Sequence, residues 1–224
     1  MELSENTLSI LKNYAGINSN IVIEAGNTIK TISEAKNVMS SASIVEEFPQ
    51  TFGVYDLNEF IGVLSLVDKP NLTFADDSVV VADSSGRSKV KYFYSDPEML
   101  TKPGKNVMMP VAEVNFTLDG DTLGRIKRAA TALGHNEVSI TGSDGVLNLS
   151  VVDSKNKTSN AYSIDVAADF DSGDFNFILN ISNLKIMPGD YDVAISSKLI
   201  SHFTNKEFGI SYWIALEKTS TYGV

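Results

Sequence analysis

Three cations lie close together in the segment from Asp119 to Leu133, in a chain whose net charge is -10. At about 100° per residue, a helix here gathers its apolar side chains on one face. Arg125 and Arg128 fall on the opposite face, and Lys127 lies at the edge of the apolar stripe, where its stem covers hydrophobic surface. Such a face attracts phosphate groups, whereas the plainer interpretation is a solvated amphipathic helix.

The residues needed for catalysis or metal binding do not come together in the sequence. The chain has no cysteine, which excludes disulfides, thiolate nucleophiles and cysteine-based metal sites. No serine lies in a Gly-x-Ser-x-Gly elbow, there is no glycine-rich phosphate loop, and His135 and His202 are far apart. The acidic residues Asp165, Asp169, Asp171 and Asp174 lack EF-hand spacing and suit a solvated loop. We therefore predict neither an enzyme nor a cofactor or metal site.

Length and composition describe an ordinary globular chain. Its 224 residues are 43% hydrophobic, enough for one large domain or two of about 110 residues. No apolar run approaches the roughly 18 residues that a membrane span requires. The acidic start, Met1 to Glu5, does not resemble a secretory signal, so a cytoplasmic location is expected.

The same order of elements is predicted twice along the chain. The first half predicts helices at Glu5–Ala15 and Tyr55–Leu66, a hairpin of Ile21–Ile23 with Thr28–Ile32, and strands at 42–48, 72–74, 79–82 and 89–94. The second half predicts helices at Asp119–Leu133 and Asn180–Met187, a hairpin of 138–141 with 146–152, and strands at 161–167, 175–179, 191–196 and 208–216. The fold class is therefore α+β, with two similar domains at residues 1–95 and 111–224. Residues 96–110, which include three prolines, form an extended connector.

This order, together with several short motifs, resembles the DNA sliding clamps of the PCNA type, and most closely those of T4-like bacteriophages. The similar segments run from Leu3-Ser4 to Leu11-Lys12-Asn13, from Tyr55-Asp56-Leu57-Asn58 to Leu64-Ser65-Leu66-Val67, and include Phe175-Asn176-Phe177-Ile178, Met187-Pro188-Gly189-Asp190-Tyr191 and Ala215-Leu216-Glu217. The resemblance covers the whole chain. It implies a homotrimeric ring with helices lining the inside and antiparallel sheets outside, through which duplex DNA passes.

The resemblance also implies a role for each group of site residues. The DNA-facing cations would be Lys12, Arg125, Lys127, Arg128 and Lys185. Subunits would join through edge strands at 88–94 and 161–167, with Tyr92, Phe93, Tyr94, Tyr162 and Ile164 at the contact. Partner peptides would enter a pocket formed by Val107, Met108, Ile214, Ala215 and Leu216.

The partners implied are DNA polymerase, a clamp loader and, for late transcription, a sigma-like factor in the cytoplasm of an infected bacterium. Relatives tend to carry lysines near the amino terminus, whereas Glu2 and Glu5 stand here, and the outward face of the helix at Tyr55–Leu66 offers Glu59 and no cation. The lining expected from the first domain is thus less positive than that from the second. A viral structural or attachment protein rich in β-strands, without DNA binding, is the alternative, although it has little use for several amphipathic helices.

Overall fold

The structure, a computed structural model, describes residues 1–104, 107–143, 146–156, 158–170 and 174–223. They divide into two compact units, Met1–Asn106 with Phe208–Ile210, and Val107–Glu207 with Ser211–Val224. The boundary between the units falls inside the segment 96–110 that we expected to be the connector. Part of that segment, Pro97–Met99, forms a short 3-10 turn capped by Asp96.

The first unit combines two helices with three groups of paired strands. Its elements are α1 (Glu5–Ala15), β1 (Ile21–Ile23), β2 (Gly26–Ile32), β3 (Val38–Phe48), β4 (Phe52–Val54), α2 (Leu57–Leu64), β5 (Asn71–Phe74), β6 (Ser78–Ala82) and β7 (Lys89–Phe93). Strand β1 pairs with β4, β2 pairs with β3, and β5, β6 and β7 form an antiparallel sheet in that order. The predicted hairpin of 21–23 with 28–32 is therefore wrong, because β1 takes a partner some thirty positions further along.

Apolar residues at helical and strand spacing build the core of the first unit. Helix α1 buries Ile10, Leu11 and Tyr14 and packs against α2. The Tyr14 hydroxyl lies among buried polar groups, donating to the carbonyl of Ile29 at 3.4 Å and accepting from the Ser40 hydroxyl at 3.0 Å. Because each helix buries only one stripe, its opposite face remains open to water.

In its described residues, the second unit is an antiparallel sheet covered by one long helix. Its elements are β8 (Val114–Leu118), α3 (Gly120–Leu133), β9 (Glu137–Ser143), β10 (Val146–Val152), β11 (Tyr162–Phe170), β12 (Phe175–Asn180), β13 (Tyr191–Ser196), β14 (Ile200–Asn205), β15 (Ile210–Ala215) and β16 (Thr221–Tyr222). The strand order is β16-β12-β9-β10-β11-β8-β13-β14-β15. The hairpin predicted at 138–152 is confirmed by the pairing of β9 with β10, although its turn residues 144 and 145 lie outside the described residues.

The helix predicted at Asn180–Met187 is wrong. Only Ile181–Asn183 forms a helical turn there, of the 3-10 type and capped by Asn180. The following residues are held by aromatic hydroxyls instead, since the Tyr191 hydroxyl donates to the carbonyl of Met187 at 2.7 Å. The Met187 amide donates to the Tyr212 hydroxyl at 3.3 Å. Burial of both tyrosines raises the pKa of each hydroxyl, so both remain neutral.

A buried carboxylate fixes the start of α1. Glu46, on β3, is only 9% exposed and accepts a hydrogen bond from the Thr7 hydroxyl at 2.6 Å and another from the Ser4 amide. Ser4 is itself the N-cap of α1. Burial raises the pKa of Glu46, but the hydrogen bonds from Thr7 and Ser4 outweigh that effect and hold its pKa below the ordinary value. The carboxylate therefore ties the first turn of α1 to the sheet.

We predict that Glu46→Gln lowers the free energy of unfolding by about 1–3 kcal/mol at neutral pH, because a charged acceptor is lost. A carboxylate whose pKa is lowered by folding stabilises the protein above its unfolded pKa, and that contribution disappears as the pH falls through the folded pKa. The difference from the parent protein should therefore shrink below about pH 4. Urea unfolding across a pH series measures this, with exposed Glu47→Gln as the control. Equal midpoints for both variants at pH 7 would contradict the assignment.

Candidate nucleic-acid interface

Helix α3 is anchored at its first turn and ends at a glycine. The Asp119 side chain accepts hydrogen bonds from the Thr122 amide at 2.7 Å and from the Thr122 hydroxyl at 2.8 Å, and these lower its pKa. Asp190 adds a second cap by accepting from the Gly120 amide at 2.8 Å. Gly134 follows the last turn with φ of 69°, a left-handed conformation that glycine adopts without strain. The direction of α3 across the sheet is thereby fixed at both ends.

Two arginines occupy the solvent face of α3. Leu123, Ile126 and Ala130 are buried against the sheet, whereas Arg125 and Arg128 are exposed. Within the described part of the chain, no carboxylate lies at ion-pair distance from either guanidinium. A side chain on Gly124 would come within 3.2 Å of an Arg128 guanidinium nitrogen, so the glycine leaves room for that side chain to lie along the helix.

Lys127 has a different environment from the two arginines. Its ammonium donates a hydrogen bond to the carbonyl of Ile186 at 3.2 Å, and its side chain is half-buried. Burial lowers the pKa of Lys127. The lysine thus connects α3 to the segment after the 3-10 turn, where Lys185 is exposed and next in sequence to Ile186. Arg125, Arg128 and Lys185 are thus exposed cations of the second unit, and Lys127 is held by its hydrogen bond to the carbonyl of Ile186.

The helices of the first unit present fewer cations. Lys12 is exposed in the last turn of α1, where a positive charge interacts favourably with the helix dipole. Helix α2 begins at the N-cap Asp56 and carries no basic residue in its last turn, while Glu59 is exposed. Helices α1 and α2 together therefore expose one lysine, Lys12, whereas α3 exposes Arg125 and Arg128.

The two segments expected at the subunit contact each have one side without a strand neighbour among the described residues, along β7 and along 162–167 of β11. On β7, Phe93 is 61% exposed, while Tyr92 packs on Phe60 with ring centroids 5.1 Å apart. Tyr94 packs on Phe52 at 4.9 Å. On β11, Tyr162 and Ile164 are half-buried on the face that carries the core of the second unit.

The structure corrects two of the five residues expected to line the partner pocket. Ile214 is fully buried and Leu216 is 6% exposed, because alternate residues of a strand face the core. Ala215 lies on the other face and is half-exposed, and Val107 and Met108 are half-exposed and exposed. Of the five residues, these three supply the exposed surface.

Sequence reasoning missed the aromatic stack beside Ala215. Trp213 stacks on His202 with centroids 4.6 Å apart and planes 13° from parallel. Burial lowers the pKa of His202, so the ring is neutral at pH 7. The alternation of apolar residues through 210–214 places Trp213 opposite the core face, and this signal was available in the sequence.

Two features are absent from the described residues, a metal-ligand cluster and a membrane-spanning helix. Within these ranges no three histidine, aspartate or glutamate side chains converge as metal ligands. A search of the same ranges finds no helix with the length and hydrophobicity needed to cross a membrane. Paired α+β units with a helix over each antiparallel sheet, and cations on the helical face, define a protein of the DNA-clamp class.

Comparisons with known proteins agree with this class. The sequence profile described as "DNA polymerase processivity factor" matches residues 4–100, and that described as "gp45 sliding clamp, C terminal" matches residues 115–218. The chain is 34% identical to the sliding clamp of Vibrio phage KVP40 over 97% of this chain and 99% of that protein. It is 34% identical to the sliding clamp of Escherichia phage RB69 and 31% identical to that of Enterobacteria phage T4, in each case over 99% of both chains.

Solved structures support the fold. The chain superposes on the PCNA2-PCNA3 complex from Sulfolobus tokodaii with a TM-score of 0.69 and 15% identity, covering 95% of this chain and 96% of that one. The match to Proliferating Cellular Nuclear Antigen from Entamoeba histolytica has a TM-score of 0.70 and 14% identity, covering 94% of each chain. The chain belongs to the sliding clamps of T4-like bacteriophages, the DNA polymerase processivity factors. This membership confirms the resemblance and removes the alternative of a viral structural or attachment protein.

The different environments of Lys127 and Arg125 can be tested by the effect of substituting each residue on the free energy of unfolding. We predict that Lys127→Met lowers the free energy of unfolding by about 1 kcal/mol, because the carbonyl of Ile186 loses its donor. Arg125→Gln, at an exposed position, should change it by less than about 0.5 kcal/mol. Thermal or urea unfolding measures both. An Arg125 variant that is the less stable of the two would contradict the anchoring role of Lys127.

Proposed function

We propose that three copies of this chain close into a ring around duplex DNA and tether the replicative polymerase to it. The single observation that carries the proposal is the exposed pair Arg125 and Arg128 on α3, in a chain whose net charge is -10. A charge distribution of this kind confines phosphate attraction to one face and leaves the remaining surface repulsive to DNA. In this arrangement the polar faces of the helices line the hole.

Contacts of this kind suit movement along DNA. Arg125, Arg128, Lys185 and Lys12 would meet phosphates, which repeat along any sequence, and would not read base edges. Three copies would carry a total charge of -30, three times -10, so the attraction to DNA is weak. The hold on DNA then comes from the closed ring, and a tethered polymerase remains at a high effective concentration.

The exposed edges of β7 and β11 provide the subunit contact of the proposed ring. Tyr92, Phe93 and Tyr94 of one copy would meet Tyr162 and Ile164 of the next, so that two strands otherwise unpaired complete each other. Exposed edges of this kind favour pairing with another chain. A head-to-tail contact that repeats closes a ring when the rotation between copies allows it.

The remaining proposed partners are those expected for a member of this family. A polymerase peptide would dock near Val107, Met108 and Ala215, a clamp loader would open the ring, and a sigma-like factor would use the same protein in late transcription. The proposed location is the cytoplasm of the infected bacterium. The chain contributes binding and tethering, with no catalytic step of its own.

The DNA contact can be tested with Arg125→Glu combined with Arg128→Glu. The affinity for a labelled linear duplex at low salt should fall, and the log–log salt slope should shrink by about one for each phosphate contact removed. Fluorescence anisotropy across a salt series measures both quantities. Lys36→Glu with Lys218→Glu, at two exposed positions off α3, gives the same change in net charge and should have the smaller effect. Equal losses in the two double variants would contradict a specific DNA face.

A further inference from the structure

Strands β7 and β11 each have one side on which backbone groups lack a neighbouring strand, along all of β7 but along only part of β11. Among the described strands of the first unit, β7 stands last in the order β5-β6-β7 and pairs only with β6. Strand β11 pairs with β10 along 162–167, but β8 covers its other side only along 168–170. The first two-thirds of β11 therefore has one side without a strand neighbour in the described part of the unit. Each edge can accept one more strand.

Both edge strands have one apolar face and one polar face. On β7, Tyr92 packs towards Phe60 of α2, so the alternate residues Lys89, Lys91 and Phe93 point to the other face, where all three are exposed. On β11, Tyr162, Ile164 and Val166 lie opposite the buried residues Val151, Leu149 and Leu147 of β10. Ser163, Asp165 and Ala167 consequently form the exposed row of β11. A continuous sheet would place the two apolar rows side by side and the two exposed rows side by side.

The exposed rows carry opposite charges. Lys91 has a side chain that is 50% exposed and pairs loosely with Asp77 at 3.7 Å, and it also lies over the Phe93 ring at 4.5 Å. No carboxylate in the described ranges lies at ion-pair distance from Lys89. Asp165 accepts one hydrogen bond from the Asn148 amide at 2.8 Å, which leaves further acceptor positions on the carboxylate open to a cation.

We propose that β7 of one copy recognises β11 of a second copy through Lys89 and Lys91 facing Asp165, and that this charge pair sets the direction of assembly. The inference rests on the proposed ring and adds the residues that select the partner edge. Two β7 edges would bring lysines against lysines, and two β11 edges would bring Asp165 against Asp165. Head-to-tail pairing is thus favoured over either symmetric pairing.

The direction in which association changes with salt distinguishes the attraction at this contact from the repulsion between whole copies of the acidic protein. Copies that each carry -10 repel one another, so screening of that repulsion strengthens association as salt rises. Screening of the attraction between the lysines and Asp165 has the opposite effect. Because the edge charges lie within a few ångströms in a paired sheet, they should dominate, and association should weaken between about 0.05 M and about 0.5 M salt.

Sedimentation velocity over a concentration series tests the contact with charge variants. Lys89→Glu with Lys91→Glu should weaken association by about tenfold per interface at low salt, because attraction becomes repulsion. Adding Asp165→Lys to that variant should restore most of the loss. Lys36→Glu with Lys218→Glu is matched in net charge and should associate like the parent protein. The neutral variant Lys89→Gln with Lys91→Gln should reverse the sign of the salt dependence, because only the repulsion between acidic copies then remains to be screened. This is a readout independent of any folding defect.

The outcomes distinguish failure of the charge pairing between the edges from failure of the proposed ring. If the parent protein associates and the Lys89, Lys91 variant associates equally well, or if Asp165→Lys fails to restore its association, the charge pairing is overturned and the ring stands. If the parent protein is a monomer at every concentration and salt, the ring itself is overturned. Loss in the first variant with recovery in the triple variant supports the charge pairing.

Discussion

A helix that covers a sheet can bury only one of its faces, and the features of this clamp follow from that constraint. In α3 the buried stripe of Leu123, Ile126 and Ala130 fixes which residues face water, and these include Arg125 and Arg128. The cations are positioned by the packing of the apolar residues between them. The caps from Asp119 and Asp190 and the hydrogen bond from Lys127 then hold the helix in that orientation.

The helical faces and the strand edges of β7 and β11 carry different arrangements of charge. The helical face of the second unit is basic, and α2 of the first unit offers Glu59. For a sliding protein, weak and uneven phosphate attraction is sufficient, because a closed ring would prevent escape without strong contacts. The proposed subunit contact of β7 with β11 has the opposite requirement, since it must be both selective and strong enough to close the proposed ring. Each edge accordingly combines an apolar row with a charged one.

Local patterns in the sequence predicted local structure well. Helix α1 was predicted at the residues where it occurs. The predicted bounds of α3 differ from the observed ones only at Asp119, which is the N-cap and not the first helical residue. Pairing between distant strands was not predictable in the same way, because β1 joins β4 across a long separation that no turn signal records. The segment after Asn180 has helical spacing but is held by the tyrosine hydroxyls of β13 and β15. Strands β4, β8, β14 and β16 were not predicted. Ile214 and Leu216 were predicted to line a surface pocket because they are apolar, whereas the alternation of residues along the strand places both in the core.

The most direct test of the account is retention on circular DNA after the ring has been closed chemically. Because the chain has no cysteine, Tyr92→Cys and Ile164→Cys can be joined across the proposed subunit contact with a thiol cross-linker in the presence of duplex DNA. Cross-linked protein should remain on a closed circle at high salt and should be released when the circle is cut. Equal loss from circular and linear DNA, with the cross-link formed, would contradict topological encirclement.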